Sequence, residues 1–349
     1  MKCLVLTERV DDPCYRYRIE AFLPSLARRG FEVETVCLRR NAVARTLQLL
    51  RARAADVVLL QRKLLSVAQV GLLRCVARRL VYDLDDALYH RHSDHPKGPH
   101  SWKLSARFWA MMRAADLVLV GNECLEEQAA RHADRSRVHV VPTCVEPQKY
   151  PIAEHRAVGA QAKLAWVGQA CTLQGFRAAA ECLEAAGRRL PGLELRVICD
   201  TTIDLPGLRV SLCRWSLDTE TRDLATSDIG ISWLPDHPFS RGKCGLKVLQ
   251  YMAAGLPVVA NPVGVTPQLV VHGRTGFLAS TPTEWAEAIA ELAGDPALRR
   301  RMGAEGRRIV ETHYSVDRWA ARFAGLIAGI VDDGIDAIDT PASDLPRAA

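Results

Sequence analysis

Short apolar runs alternate with segments of helical period along almost the whole chain, and this alternation constrains the fold more than any other feature. Such runs, bounded by polar turns, are typical of buried parallel strands, and the segments between them suit crossover helices. The predicted strands are 3–7, 33–38, 57–61, 80–84, 117–120 and 138–141, followed by 164–168, 193–199, 208–212, 229–233, 258–260 and 276–278. The pattern predicts an α/β protein with two Rossmann-like halves.

The chain has 349 residues, more than one hydrophobic core usually serves, so two domains are expected. The polar stretch 147–162 has the composition of a linker. We predict an N-terminal domain over 1–155 and a C-terminal domain over 156–312. A final amphipathic helix within 313–330 and a disordered acidic tail over 331–349 follow.

Composition excludes several classes of protein. Hydrophobic residues make up 48% and charged residues 25% of the chain, as in a soluble globular protein. The eleven cysteines form no CxxC pair, which favours free thiols in a reducing cytoplasm. No signal peptide is evident, and no apolar run is long enough to span a membrane. We therefore expect a cytoplasmic protein.

The net charge of +6 is unevenly distributed. Ten basic residues lie between Arg39 and Arg79 against a single acid, Asp56. No aromatic residue and no nucleic-acid motif accompany them, so nucleic acid is not the expected partner. Peripheral contact with an anionic membrane, at its inner face, fits better, as does a phosphate-bearing lipid acceptor. The alternative is a solvated arginine-rich surface.

A basic turn precedes a helical segment that leads into the strand at 258–260. Its cations are Arg241, Lys243 and Lys247. Gly242 and Gly245 leave room for close backbone approach, so we predict an anion at the helix start. If the helix includes both lysines, they lie one turn apart on the same side. A basic loop that only caps a helix is the alternative.

Cofactor and metal signals are weak. No GxGxxG motif follows a predicted strand, so neither a nicotinamide nor a flavin is expected, and we predict no cofactor. His90, His92, His95 and His100 share a loop without the regular spacing of zinc ligands. We expect the loop 89–102 to be mobile and to cover an acceptor.

Several short motifs, in order over about 300 residues, are similar to those of GT-B glycosyltransferases of the retaining family 4. More narrowly, the chain resembles a bacterial branch that assembles polysaccharides and glycoconjugates. The matching motifs are YRYR at 15–18, LQR at 60–62, YDLDDA at 82–87, GNE at 121–123, VPT at 141–143, WVG at 166–168, Trp215, DIG at 228–230, RGKCG at 241–245, Lys247, QYM at 250–252, PVG at 262–264, HG at 272–273 and GFL at 276–278.

The resemblance implies two facing Rossmann-like domains, with the last helix crossing back to the first. It implies a nucleoside-diphosphate sugar bound mainly by the C-terminal domain, and a glycan, glycolipid or small-molecule acceptor bound mainly by the N-terminal one. Transfer with retention of configuration would take place between them. Two alternatives remain: a catalytically silent protein that binds a nucleotide sugar or a partner glycosyltransferase, and an epimerase acting on the nucleotide sugar.

The chain departs from the wider family at its donor site. Two glutamates eight positions apart are usual there, and Gly242 and Gln250 occupy those positions. The usual Arg and Lys after the first strand of the second domain are also missing, and Gln169 and Gln174 lie near their positions. These losses motivate the silent alternative. The basic turn supplies substitute cations.

Site residues follow from the turn and the resemblance together. The predicted diphosphate ligands are Arg241, Lys243, catalytic Lys247, the backbone N–H groups of Gly245 and Leu246, and Gly168 and Gln169 at the end of the strand 164–168. We expect Gln250 to hydrogen-bond ribose hydroxyls and Trp215 to contact the base.

On the acceptor side, Asp85 and Asp86 fall where the family often has His-Asp, which implies an acceptor-positioning or weak-base role. Arg16, Arg18, Arg62 and Asp83 are predicted contacts of the acceptor or of a phosphate. A metal held by the aspartates is discounted, because the resemblance assigns its electrostatic role to the basic turn. Capping and plain surface charge are the alternatives for these residues.

Overall fold

The computed structural model describes residues 1–157 and 159–332, without the side chains of residues 160 and 174. Two compact units account for them. The first comprises Met1–Cys144, His237–Cys244 and the helix that starts at Val316; the second comprises the described residues of Val145–Asp236 and Gly245–Ser315. The domain boundaries derived from the sequence stay predictions. Most of the predicted tail, from residue 333 on, lies outside the described residues.

Each unit contains one six-stranded parallel sheet. The strands of the first are Lys2–Thr7 (β1), Glu32–Cys37 (β2), Val57–Gln61 (β3), Leu80–Leu84 (β4), Leu117–Val120 (β5) and Val138–Val140 (β6). Those of the second are Lys163–Val167 (β7), Glu194–Cys199 (β8), Arg209–Arg214 (β9), Ile229–Ser232 (β10), Val258–Ala260 (β11) and Gly276–Leu278 (β12). All twelve predicted strands are therefore confirmed, with ends that differ by at most two residues.

The α-helices connect these strands. In chain order they are Pro13–Arg18 (α1), Leu23–Arg28 (α2), Ala42–Leu49 (α3), Val67–Val76 (α4), Trp102–Ala114 (α5), Glu123–Ala130 (α6), Ala170–Phe176 (α7), Ala180–Arg189 (α8), Glu220–Ala225 (α9), Pro238–Arg241 (α10), Leu246–Ala253 (α11), Thr266–Leu269 (α12), Pro282–Gly294 (α13), Pro296–His313 (α14) and Val316–Val331 (α15). Short 3₁₀ turns lie at Glu20–Phe22, Leu50–Ala54, Arg135–Arg137, Pro147–Lys149, Gly159–Gln161 and Arg177–Ala179.

The first sheet has the strand order β2-β1-β3-β4-β5-β6. The connections from β2 to β3, β3 to β4 and β4 to β5 all run in one direction across it. Because such crossovers are right-handed, α3, α4 and α5 lie on the same face of the sheet. Consistently, α3 packs against α4, and α4 packs against α5. These helices form the outer layer of one face of the first unit.

The last helix packs on the first unit, as the fold implied by the resemblance requires. It contacts α2, and the Phe323 ring stacks on Phe22 with centroids 4.6 Å apart. The backbone carbonyl of Ile330 accepts a hydrogen bond from Arg79 Nε at 2.5 Å. The amphipathic helix predicted up to residue 330 is thus confirmed.

The second sheet has the order β12-β11-β10-β7-β8-β9, so β7 lies inside it. A large core supports this sheet, in which Trp166 and Trp285 are almost fully buried. In the described part of the chain, no helix has the length and apolarity needed to cross a membrane.

Candidate functional site

The carboxyl end of β7 in the second unit holds a lysine over an aromatic ring. Lys247 Nζ lies 3.8 Å from the centroid of the Trp166 ring and 3.2 Å from Thr172 Oγ1. Gly168 follows β7 directly, and a Cβ at this position would lie 2.7 Å from the Trp166 ring. Gln169, an exposed residue, comes next and precedes α7. The structure therefore brings together three of the predicted diphosphate ligands.

The helix that carries Lys247 starts from a left-handed residue. Gly245 has φ of 69°, and no side chain caps the helix by a hydrogen bond to its first turn. The first turn also contains no acidic residue. The N-terminal end of α11, at Leu246, therefore combines a positive helix-dipole end with the Lys247 ammonium, an arrangement that attracts anions.

Lys243 does not share this helix, so the predicted spacing of one turn between the two lysines is wrong. The left-handed backbone at Gly245 separates them, and α11 begins only at Leu246. Lys243 belongs to the first unit, where its Nζ lies 3.6 Å from Asp86 Oδ1. Arg241 ends the short helix α10 in the same unit. The basic turn is thus divided between the two units.

A buried carboxylate that the sequence interpretation missed lies beside Gln250. Glu220, at the start of α9, is 3% exposed and accepts hydrogen bonds from Gln250 Nε2 and from Trp215 Nε1. The Gln250 amide also donates to the Tyr150 hydroxyl at 3.4 Å. Glu220 thus joins the two residues predicted to bind ribose and base. An acidic residue in the first turn of a helix is common, so the sequence offered no specific signal for it.

In the first unit, Arg62 bridges two carboxylates. Its guanidinium lies 2.9 Å from Asp85 Oδ1 and 2.9 Å from Asp86 Oδ2. Arg62 is also the one non-glycine residue with positive φ in the described part of the chain, at 59°. Its N–H donates to the Asp83 carbonyl, and its own carbonyl accepts from the Tyr82 hydroxyl. Such a backbone conformation costs free energy, and here these contacts hold it.

The charges around Asp86 keep it ionised. Burial opposes its charge, but the Lys243 ammonium and the Arg62 guanidinium outweigh this effect and lower its pKa. Burial likewise opposes the Arg62 charge, yet Asp85 and Asp86 hold its pKa well above the ordinary value. At neutral pH, Asp86 is therefore a carboxylate that accepts hydrogen bonds and does not donate a proton.

Two predicted acceptor contacts form a pair inside the first unit. Arg18 and Asp83 are 1% and 0% exposed, and they are joined by an ion pair. The Arg18 guanidinium also donates to the Val141 carbonyl. This burial favours a structural role over the predicted contact with a phosphate. Arg16, on α1, instead lies 5.3 Å from the Tyr17 ring centroid.

Gly242 has a packing reason to be glycine. A Cβ at this position would lie 2.7 Å from Ala87 Cβ and 2.9 Å from the Ala87 nitrogen. Asn122 Nδ2 donates to the Gly242 carbonyl at 3.1 Å, and Cys244 Sγ lies 3.0 Å from the Asp85 carbonyl. The turn is thus held against the loop that follows β4. No glutamate fits at position 242 without displacing that loop.

The arginine-rich segment does not form the uncompensated basic face that its sequence predicts. Acidic residues of the first unit pair with at least half of these cations. At least five of the ten are in ion pairs: Arg51 with Glu34, Arg62 with Asp85 and Asp86, Lys63 with Glu8, Arg74 with Asp116, and Arg78 with Asp56. Folding therefore neutralises much of the charge, which a count along the chain does not show.

Comparisons with solved structures identify the fold. The fold matches sucrose-phosphate synthase from Thermosynechococcus elongatus with a TM-score of 0.76 and 17% identity, over 95% of this chain and 100% of that one. It also matches Anabaena HepE, in complex with UDP and glucose, with a TM-score of 0.71 and 16% identity, over 94% and 100%. The fold is that of the GT-B proteins.

A family model described as "Glycosyl transferases group 1" matches residues 211–295. A D-inositol 3-phosphate glycosyltransferase of Streptomyces avermitilis is 44% identical over 69 residues, which cover 19% of this chain and 15% of that protein. The aligned part is thus a small share of this curated relative. Residues 211–295 thus match the group 1 glycosyltransferases, and the predicted resemblance to GT-B proteins of the family 4 type is confirmed.

Proposed function

We propose that the chain transfers a glycosyl group, with retention of configuration, from a nucleoside-diphosphate sugar to an acceptor in the assembly of a bacterial glycan or glycoconjugate. One observation carries the proposal. Lys247 lies at the carboxyl end of β7 beside the start of α11, and in open parallel sheets this edge binds ligands. The fold neighbour HepE is in complex with UDP and glucose, which favours this class of donor.

On the donor side, the departing diphosphate gains negative charge as the glycosidic bond breaks. Lys247 and the first N–H groups of α11, from Leu246 on, stabilise that charge. Gly168 lets the phosphates approach β7, since any side chain there would meet the Trp166 ring. Glu220 fixes the Gln250 amide and the Trp215 indole, which contact the ribose and the base respectively.

On the acceptor side, Asp85 and Asp86 orient the acceptor hydroxyl. Arg62 holds the two carboxylates together, and Lys243 balances their charge. A carboxylate with a lowered pKa is a weak base, so its main contribution is to position the hydroxyl. Most of the chemistry is then charge stabilisation on the donor side.

The test incubates the purified chain with UDP-, GDP- and dTDP-sugars, with and without a bacterial glycolipid extract, and measures release of the nucleoside diphosphate. The proposal predicts release from one donor class that depends on the extract. NMR of the first-formed product then reports the anomeric configuration. An altered sugar nucleotide made without acceptor would instead identify an epimerase.

Gly242 favours one second candidate, a protein that binds the nucleotide sugar and does not transfer the sugar. A family 4 enzyme usually has a carboxylate at this position, and the contact with Ala87 leaves no room for one. Tight binding of a sugar nucleotide without any release of diphosphate, across several acceptor extracts, would support this candidate over the enzyme.

A further inference from the structure

Helix α5 exposes two tryptophans on the outer layer of the first unit. Trp102 is 77% exposed and Trp109 is 49% exposed. Residues seven apart on an α-helix lie nearly in line, so the two indoles form a single stripe about 10 Å long. Tryptophan is seldom so exposed, because its ring is the largest apolar side chain.

The same helix has a basic and acid-free sequence. It contains Lys103, Arg107 and Arg113 and neither Asp nor Glu. Lys103 Nζ lies 5.7 Å from the Trp102 ring, and Arg113 Cζ lies 5.2 Å from the Trp109 ring. Each indole therefore has a cation beside it. The opposite side of α5 packs inward through Phe108, so the stripe does not serve the core.

A second helix of this layer has similar chemistry. On α3, Val43 and Leu47 are one turn apart, and they are 70% and 63% exposed. Arg39 and Arg40 precede this helix and are also exposed. Both helices lie on one face of the first sheet, with α4 between them. Apolar side chains and cations therefore occur together on two helices of one layer.

We propose that this outer layer, through Trp102 and Trp109 of α5 above all, docks on the surface of an anionic lipid bilayer. Indoles favour the depth of lipid headgroups, where the apolar ring and the N–H are both accommodated, and neighbouring cations pair with anionic headgroups. An apolar groove of a partner protein would match the two indoles but not the cations of α5. A nucleic acid would match the cations but not the apolar side chains of Val43 and Leu47. The surface of an anionic bilayer matches both.

This docking is independent of sugar transfer. Of the basic segment 39–79, which gave the sequence-based expectation of membrane contact, it uses only Arg39 and Arg40 and none of the residues in ion pairs. It commits to lipid as the occupant, so its test uses vesicles alone. Failure of the proposed glycosyl transfer would leave it intact, and its own failure would leave the transfer intact.

The experiment is co-sedimentation of the full chain with phosphatidylcholine vesicles, with and without phosphatidylglycerol, at low and raised salt. We expect binding that requires phosphatidylglycerol and weakens with salt. The double variant W102A/W109A should lose at least about tenfold in apparent affinity. K103E/R113E should lose at least as much, because each basic residue near an anionic surface contributes roughly fivefold.

Matched variants separate docking from general effects. L212A removes an exposed apolar side chain from β9, and R188E/R189E makes the same charge change on α8, both in the second unit. Each should bind vesicles like the wild type, and circular dichroism should show all variants folded. No wild-type binding, or equal binding by W102A/W109A and L212A, would overturn the proposal. Concentration-dependent dimerisation lost in W102A/W109A, without vesicle binding, would show a second copy as the occupant and also overturn it.

Discussion

Replacing Lys247 separates its contribution to the fold from its contribution to the ligand. The ammonium contacts the ring of Trp166, which is 2% exposed, and donates to Thr172. A partly desolvated cation–π contact is worth about 1–2 kcal/mol and the hydrogen bond about 1 kcal/mol. We therefore expect K247A to lower the free energy of unfolding by about 1–3 kcal/mol, measured by urea titration. K247M keeps a side chain over the ring and should lose less.

Lys247 is expected to contribute more to ligand binding and turnover than to the stability of the fold. A charge-assisted hydrogen bond to a phosphate is worth about 1.5–3 kcal/mol, or roughly 10- to 150-fold in Kd. Loss of one group that stabilises charge in the transition state costs about 10²–10³ in kcat. K247A and K247M should therefore show the same loss of diphosphate affinity and turnover, although only K247A is clearly destabilised. K247R should retain most of both. Wild-type turnover in K247M would refute the assignment of this lysine.

Three further predictions concern the buried charges. D83N should lower the free energy of unfolding by about 3–5 kcal/mol because it leaves Arg18 buried without its partner, and a loss under about 1 kcal/mol in urea titration would contradict the pairing. E220Q should weaken binding of a ribonucleoside diphosphate more than of its 2′-deoxy analogue, measured by calorimetry, since the Gln250 amide loses its fixed orientation; equal weakening would argue against this role. The folded-state pKa of Asp86 is lowered, so its stabilisation is present above the unfolded pKa of about 3.9 and is lost as pH falls through the folded pKa. Unfolding free energies measured on both sides of this range should therefore fall less steeply with acid in D86N than in wild type, and identical slopes would contradict the prediction.

The strands could be predicted from the sequence because a fully buried strand appears in it as a continuous apolar run. In β3 and β4 every residue is buried, so each run predicts its strand without knowledge of its neighbours. Their order in the sheet cannot be read from such runs, because it depends on how the connections cross the sheet. Buried parallel strands are therefore the part of this fold that local sequence determines best.

The site was harder because its geometry depends on contacts distant in sequence. Gly245 suits both close ligand approach and a left-handed turn before a helix, and its surroundings decide between these two. A Cβ there would lie 3.0 Å from the Val265 side chain, which the sequence around residue 245 does not indicate. The separation of Lys243 from Lys247 followed from that turn. Glu220 was missed for the same reason, since only folding brings it within hydrogen-bonding distance of Trp215 and Gln250.

The most direct test of the central claim, that the second unit binds a nucleoside diphosphate at Lys247, is a thermal-shift panel of UDP, GDP, dTDP, ADP and CMP. A ligand at a hundredfold excess over its Kd stabilises by about 2.7 kcal/mol, which corresponds to several degrees in Tm. The panel compares wild type, K247M and K163M, a matched change at an exposed lysine of β7. We predict a shift with one diphosphate in wild type and K163M that is largely lost in K247M. No shift with any nucleotide, or an equal shift in K247M, would contradict the claim.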